Sequence, residues 1–301
     1  MNFRSTCLAC ASFGVIALAG APLAADPVIK KVEVNGATMT YVDEGAGEPI
    51  LFVHGAVSDL RAWEPIRGEI ADEHRFIAIT LRYFGTGDWD WSNNDKPFNV
   101  ATHADDVAAF IKALDVGPVH LVGWSYGANV ATTAALANPD LVQSLILFEP
   151  PLSSLIKEGE AGDAAREAER KMFRPVTAAV NHDVKKATRL LIEGVFQMPP
   201  GGFENQPQEL QAMQLDNART LPLQWRASDT VVICEMLRSL DRPTLIVYGA
   251  ESNAYWPHVA LAMAECLPQA DVRVQPNVNH DGPVRDPGGF AALIDDFVAK
   301  H

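Results

Sequence analysis

The chain has 301 residues, 48% of them hydrophobic, enough for one large domain with a substantial buried core. Its 38 acidic residues against 24 basic ones give a net charge of −14, which removes any electrostatic attraction for nucleic acid or an anionic membrane surface. The same bias does not make the substrate cationic, since net charge chiefly reports solubility.

The first stretch, MNFRSTCLACASFGVIALAGAPLAAD, carries a cation at Arg4, an apolar run and small residues at its end. That pattern predicts a secretory signal peptide over residues 1–25, cleaved after Ala25. An uncleaved anchor is the alternative, and Pro22 and the glycines oppose a long spanning helix. No other segment has the length and apolar continuity to span a bilayer. The expectation is a soluble mature protein, periplasmic or secreted. Two of the four cysteines fall in the leader. Cys234 and Cys266 are too few for a disulfide framework in a chain this long. Burial as small apolar side chains is the favoured reading for them, with pairing in an oxidising compartment as the alternative. No spacing of His, Cys or acidic residues suggests a metal site, and no cofactor motif occurs.

KKVEVNGATMTYVDEG, with Asn-Gly in its middle, predicts an antiparallel hairpin. PILFVHG (49–55), RFIAITL (75–81), VHLVGWS (119–125), SLILFEP (144–150) and PTLIVYG (243–249) are short apolar runs without polar alternation, which predicts buried strands. THADDVAAFIKALDV (102–116), YGANVATTAALANP (126–139) and DPGGFAALIDDFVAK (286–300) have helical spacing. Strands alternating with helices predict a parallel sheet covered on both faces. Some ninety residues between FEPP and RPTLIVYG lack a clear strand. GDAAREAERKMFRPVTAAV and DVKKATRLLIEGVF read as helices there, which predicts a helical cap over residues 151–241 inserted into a core of 26–150 and 242–301.

LVGWSYGANV holds Ser125 in G-x-S-x-G between a strand and a helix, the context that turns the pattern into a nucleophile on a sharp turn. The helix N-terminus behind it directs N–H groups at developing negative charge. The loop after PILFVHG supplies a second donor, so the backbone N–H groups of Ala56 and Tyr126 are the predicted oxyanion hole. His54 comes too early in the chain order to be the base and reads as structural. His280, between the last strand and the closing helix, is the only histidine beyond position 258 apart from the terminal His301, and is the predicted base.

With HGA at 54–56, LRYFGTGD at 81–88, GPVHLVGWSYG at 117–127 and NHDGPVRDPGGF at 279–290, residues 30–300 resemble the α/β-hydrolase superfamily of the Ser-His-acid type. The resemblance implies a mostly parallel eight-stranded sheet with helices on both faces and a helical cap after strand six. The chain departs from the family at the acid. An aspartate usually stands three residues beyond the glycine of YG; here that residue is Ser252. Glu149, at the end of strand six, is the favoured acid, because a buried carboxylate needs a partner such as a histidine Nδ1–H. Glu251 is the alternative acid.

A serine at the elbow points to an acyl-enzyme on an ester-like carbonyl, without a cofactor, rather than to the halide or epoxide chemistry of family members with aspartate there. The expected partner is a small or medium ester-like molecule. A noncatalytic ligand-binding protein of the same fold, and a cofactor-free haloperoxidase or perhydrolase, are the alternatives. Trp124, Tyr126, Phe84, Trp89 and Trp91, with Phe173, Phe196, Met198, Phe203 and Trp225, either line an apolar pocket or simply pack the core and the cap helices.

Overall fold

The computed structural model describes residues 26–87, 89, 96–228 and 231–301. The leader expected at 1–25 and Trp91 lie outside the described residues. β1 (Lys30–Val34) and β2 (Ala37–Glu44) form the antiparallel hairpin, turning at Asn35 and Gly36 with φ of 48° and 71°, the conformation that Asn-Gly adopts at least cost. β3 (Pro49–Val53), β4 (Arg75–Thr80), β5 (Val119–Trp124), β6 (Val142–Phe148), β7 (Thr244–Gly249) and β8 (Ala270–Gln275) complete an eight-stranded sheet ordered β1-β2-β4-β3-β5-β6-β7-β8. Every pairing from β4 to β8 is parallel.

In β3, consecutive residues Ile50 to Val53 are no more than 1% exposed. Since neighbouring side chains on a strand point to opposite faces, the sheet must be covered on both. α1 (Glu64–Glu73) packs with the closing helix, and α2 (Val100–Leu114) packs with α3 (Tyr126–Ala137). α2 starts where the Asn99 side chain accepts from the Thr102 N–H, satisfying a donor that the first helical turn leaves open.

Between β6 and β7 the described residues hold helices and no strand: α4 (Glu160–Ala179), α5 (Val184–Val195), α6 (Gln208–Asp216), α7 (Leu221–Arg226) and α8 (Cys234–Arg238). α9 (Tyr255–Ala264), α10 (Gly282–Arg285) and α11 (Pro287–Val298) follow the later strands. The helical segment is tied to the sheet side by buried polar bonds. Asn217 is fully buried; it donates to Asp59 Oδ2 at 2.7 Å and accepts from the Gly85 N–H at 2.6 Å. Arg61 bridges Asp59 at 2.7 Å and Asp216 at 3.0 Å. Burial opposes ionisation of Asp59, but the Arg61 guanidinium and the Asn217 amide outweigh it and hold the carboxyl below its usual range.

One expectation is corrected here. Cys234 and Cys266 are not buried singly but joined in a disulfide, with Cα atoms 5.1 Å apart. They stand 32 residues apart in the chain, at the start of α8 and just beyond α9. Only the folding of β7 and α9 against the helical segment brings them within bonding reach.

Candidate active site

β5 ends in a sharp turn, and Ser125 sits on it with φ 54° and ψ −122°. A non-glycine residue in that region carries backbone strain that the surroundings must hold in place. They do so by close packing. A Cβ on Gly127 would stand 2.3 Å from the Val53 carbonyl oxygen, and one on Gly123 would stand 2.6 Å from Ala128 Cα. Both glycines are therefore required for β3, β5 and α3 to approach this closely. The Ser125 N–H is held by the Phe148 carbonyl at 2.9 Å.

The loop after β3 is strained as well: Val57, a β-branched residue with no exposure, has φ 46°. His54 anchors this loop. Its Nε2 accepts from the Leu81 N–H at 3.0 Å, so its Nδ1 carries the proton and donates to the Gly55 carbonyl at 2.8 Å. Complete burial lowers its pKa to about 4, which keeps the ring neutral and away from proton transfer. Ala56 and Tyr126 line one cavity with Ser125 and His280. Among the described residues no backbone carbonyl accepts from either N–H. Behind Tyr126, its hydroxyl meets His103 Nδ1 at 2.7 Å. Burial pushes the Tyr126 phenol up and His103 down to about 3, so both stay neutral.

Glu149 is fully buried with φ 48°, and three donors surround its carboxylate. The His280 Nδ1–H donates to Oε2 at 2.6 Å, the Gly249 N–H donates to Oε1 at 2.9 Å, and the Ser252 hydroxyl donates to Oε1 as well. A carboxylate can only accept, so the His280 proton sits on Nδ1 and leaves the Nε2 lone pair free. Ser252, the residue standing where the family places its acid, thus braces the acid on the neighbouring strand. Glu251 points away: its side chain is exposed and lies 3.5 Å from Arg285.

The His280 ring stacks on Trp256 with centroids 3.9 Å apart at 12°, and Trp124 Nε1 donates to the His280 carbonyl at 3.0 Å. Ser125 and His280 face the same cavity, and among the described residues no hydrogen bond joins their side chains. Hydrogen bonds of this kind are commonly loose before a substrate is bound. The cavity measures about 80 Å³. Of the aromatics weighed from sequence, Trp124, Tyr126, Phe173, Phe196 and Trp225 line it. Phe84 packs on His54 and Phe98, Trp89 packs on Tyr83, and Met198 and Phe203 lie elsewhere in the helical packing. The bracing by Ser252 and the stacking of Trp256 escape sequence reasoning: position 252 shows in sequence only the acid it lacks, and Trp256 belongs to no motif. Among the described residues no group of three or more His, Cys, Asp or Glu side chains could hold a metal ion.

A model of the alpha/beta hydrolase family matches residues 50–293. The 2-(acetamidomethylene)succinate hydrolase of Mesorhizobium japonicum is 30% identical over 86% of this chain and 91% of its own length. The 2-hydroxymuconate semialdehyde hydrolase of a Pseudomonas species is 25% identical over 93% of this chain and 97% of its own. An esterase crystal structure from a Rhodococcus species superposes with a TM-score of 0.70 at 27% identity, covering 90% of this chain and 98% of that one.

Proposed function

The chain belongs to the alpha/beta hydrolase family and is a hydrolase of that class, and from that premise we propose that it cleaves a small or medium carboxylic ester-like substrate through an acyl-enzyme on Ser125. His280 Nε2 takes the Ser125 proton as Oγ attacks the carbonyl. The N–H groups of Ala56 and Tyr126 receive the developing oxyanion; one such donor is worth about 3–4 kcal/mol of barrier. Collapse of the intermediate expels the alcohol, protonated by His280. A water activated by the same imidazole then attacks the acyl-enzyme and regenerates Ser125. Glu149 keeps the Nδ1 proton in place and stabilises the imidazolium that forms in each half.

The observation that carries the reading is the strained Ser125 turn beside a His280 whose Nδ1–H is fixed by Glu149. The cavity speaks for the substrate. Its described lining has no Lys or Arg, and only Ser58, Gln214 and Gln224 add side-chain polarity beside the serine, the histidine and the aromatics. Two relatives are named for carboxylate compounds; a neutral lining offers such anions no counter-charge and favours the esterase-like choice. The helices of residues 151–241 serve as a cap that closes this cavity. We also infer export. The leader supports it, and so does the disulfide, since such bonds persist in oxidising compartments.

Labelling with a fluorophosphonate tests the mechanism. Wild type is expected to label and Ser125→Ala not to; labelling that survives in Ser125→Ala would overturn the assignment. The lack of a direct bond between Ser125 and His280 favours one second reading, a binding protein of this fold. Ligand retention with neither labelling nor turnover would establish that alternative.

A further inference from the structure

Beside the cavity that holds Ser125 lies a larger and more open one of about 580 Å³. Tyr126, Pro151, Phe173, Gln224 and Trp225 line both. Ser125 and His280 line only the first, so the second adjoins the reacting atoms without containing them. Two residues of its wall, Asn129 and Gln224, carry side-chain oxygens that are buried without a hydrogen-bond partner, Oδ1 and Oε1. Asn129 is 8% exposed and stands on α3, one turn beyond Ser125. An unpaired buried acceptor is destabilising, and a donor on a bound ligand relieves it. A third acceptor in the wall is Glu169 of α4, whose carboxylate takes the Ser153 hydroxyl. No Lys or Arg is among the described residues of either wall.

We propose that the second cavity is a subsite for the alcohol arm of the substrate, and that it selects neutral or cationic arms bearing hydroxyl or amino donors. This rests on the acyl-enzyme reading. The acyl group stays on Ser125 after the first step and suits the smaller cavity, which holds Ser125 itself. The alcohol must depart before water enters, and the larger adjoining cavity gives it room to leave. Asn129 and Gln224 accept from hydroxyl or amino groups on the arm. Glu169 pairs with an arm that carries an ammonium group. A carboxylate arm meets the Glu169 carboxylate and no Lys or Arg to offset it, so it is disfavoured.

Four acetate esters test the subsite: those of choline, glycerol, ethanol and glycolate. In wild type, kcat/KM for the choline and glycerol esters is expected to exceed that for the glycolate ester at least about tenfold. Glu169→Gln should cut the choline-to-glycerol ratio severalfold and keep the glycerol-to-ethyl ratio. Gln224→Leu and Asn129→Leu should each cut the glycerol-to-ethyl ratio by roughly tenfold, the worth of one hydrogen bond to a buried acceptor. Gln224 is only partly buried, so its variant carries the test should Asn129→Leu fail to fold. Equal turnover of choline and glycolate esters, or substitutions that scale all four substrates together, would overturn the subsite while fluorophosphonate labelling leaves the nucleophile standing. A folded protein that neither labels nor turns over any ester overturns both readings.

Discussion

The two sides of the cavity are built by different rules. On the sheet side, backbone geometry holds the functional groups: Ser125, Glu149 and Val57 all have positive φ, and glycines pack against carbonyl oxygens at contact distance. On the helical side, Phe173, Leu191, Ile192, Val195 and Trp225 reach the cavity from ordinary helices or beside them, and buried polar bonds and one disulfide hold the segment down. Chemistry that needs atoms fixed within a fraction of an ångström is placed where the backbone itself is over-determined. Substrate shape is left to side chains that can change without disturbing the sheet.

The largest way to break the sheet side is at the acid. Glu149→Gln is expected to lower kcat by roughly 10²–10⁴-fold, because the amide can present a donor to Nδ1 and favour the wrong tautomer. Glu251→Gln should stay within about twofold of wild type. A larger loss for the Glu251 variant in ester hydrolysis would move the acid to the loop after β7. The double variant Glu149→Gln, Ser252→Asp sharpens the point: a carboxylate restored at 252 lies beside the same side chain and should recover at least about tenfold over Glu149→Gln alone. No recovery would mean that residue 252 can brace the acid but cannot replace it.

The helical side should respond in stability rather than in chemistry. Opening the disulfide, by reductant or by Cys234→Ser, frees a loop of 32 residues and should remove roughly 3–4 kcal/mol in the chain-entropy view. Melts with and without reductant would read it, and coincident curves would show that the polar ties at Asn217 and Arg61 suffice. Last, His54 and His103 couple the sheet side to pH. Their folded pKa values, about 4 and about 3, lie below the ordinary 6.5. Below pH 6.5 the unfolded chain takes up protons that the folded one refuses, so stability falls with pH from about 6.5 down toward 4. Each histidine should contribute a loss of about 2 kcal/mol between pH 6.5 and 5. Urea unfolding across that range checks it, and a flat profile would contradict neutral buried rings.

Much of the sheet side was legible before any coordinates. Apolar runs bounded by glycine and proline marked the central strands, and Ser125, His280 and Ala56 followed from where such strands end. Glu149 was legible too, because a carboxylate closing an apolar run needs a buried partner. The cysteines were not. Their counting favoured burial, and pairing depends on where α8 and α9 come to lie. The aromatics were equally undecidable, since Phe196 and Phe203 are both apolar side chains of the helical segment and only Phe196 reaches the cavity.

Residue order alone pointed to the family, the strand succession and the sharp turn at Ser125, because those depend on periodicity and on residue types that a strained turn demands. Tertiary structure decided which acid meets His280, what Ser252 does, that Cys234 bonds Cys266, and which acceptors are left unpaired beside the nucleophile. Each of these is a contact between segments far apart in the chain, and no local pattern encodes the distance between them.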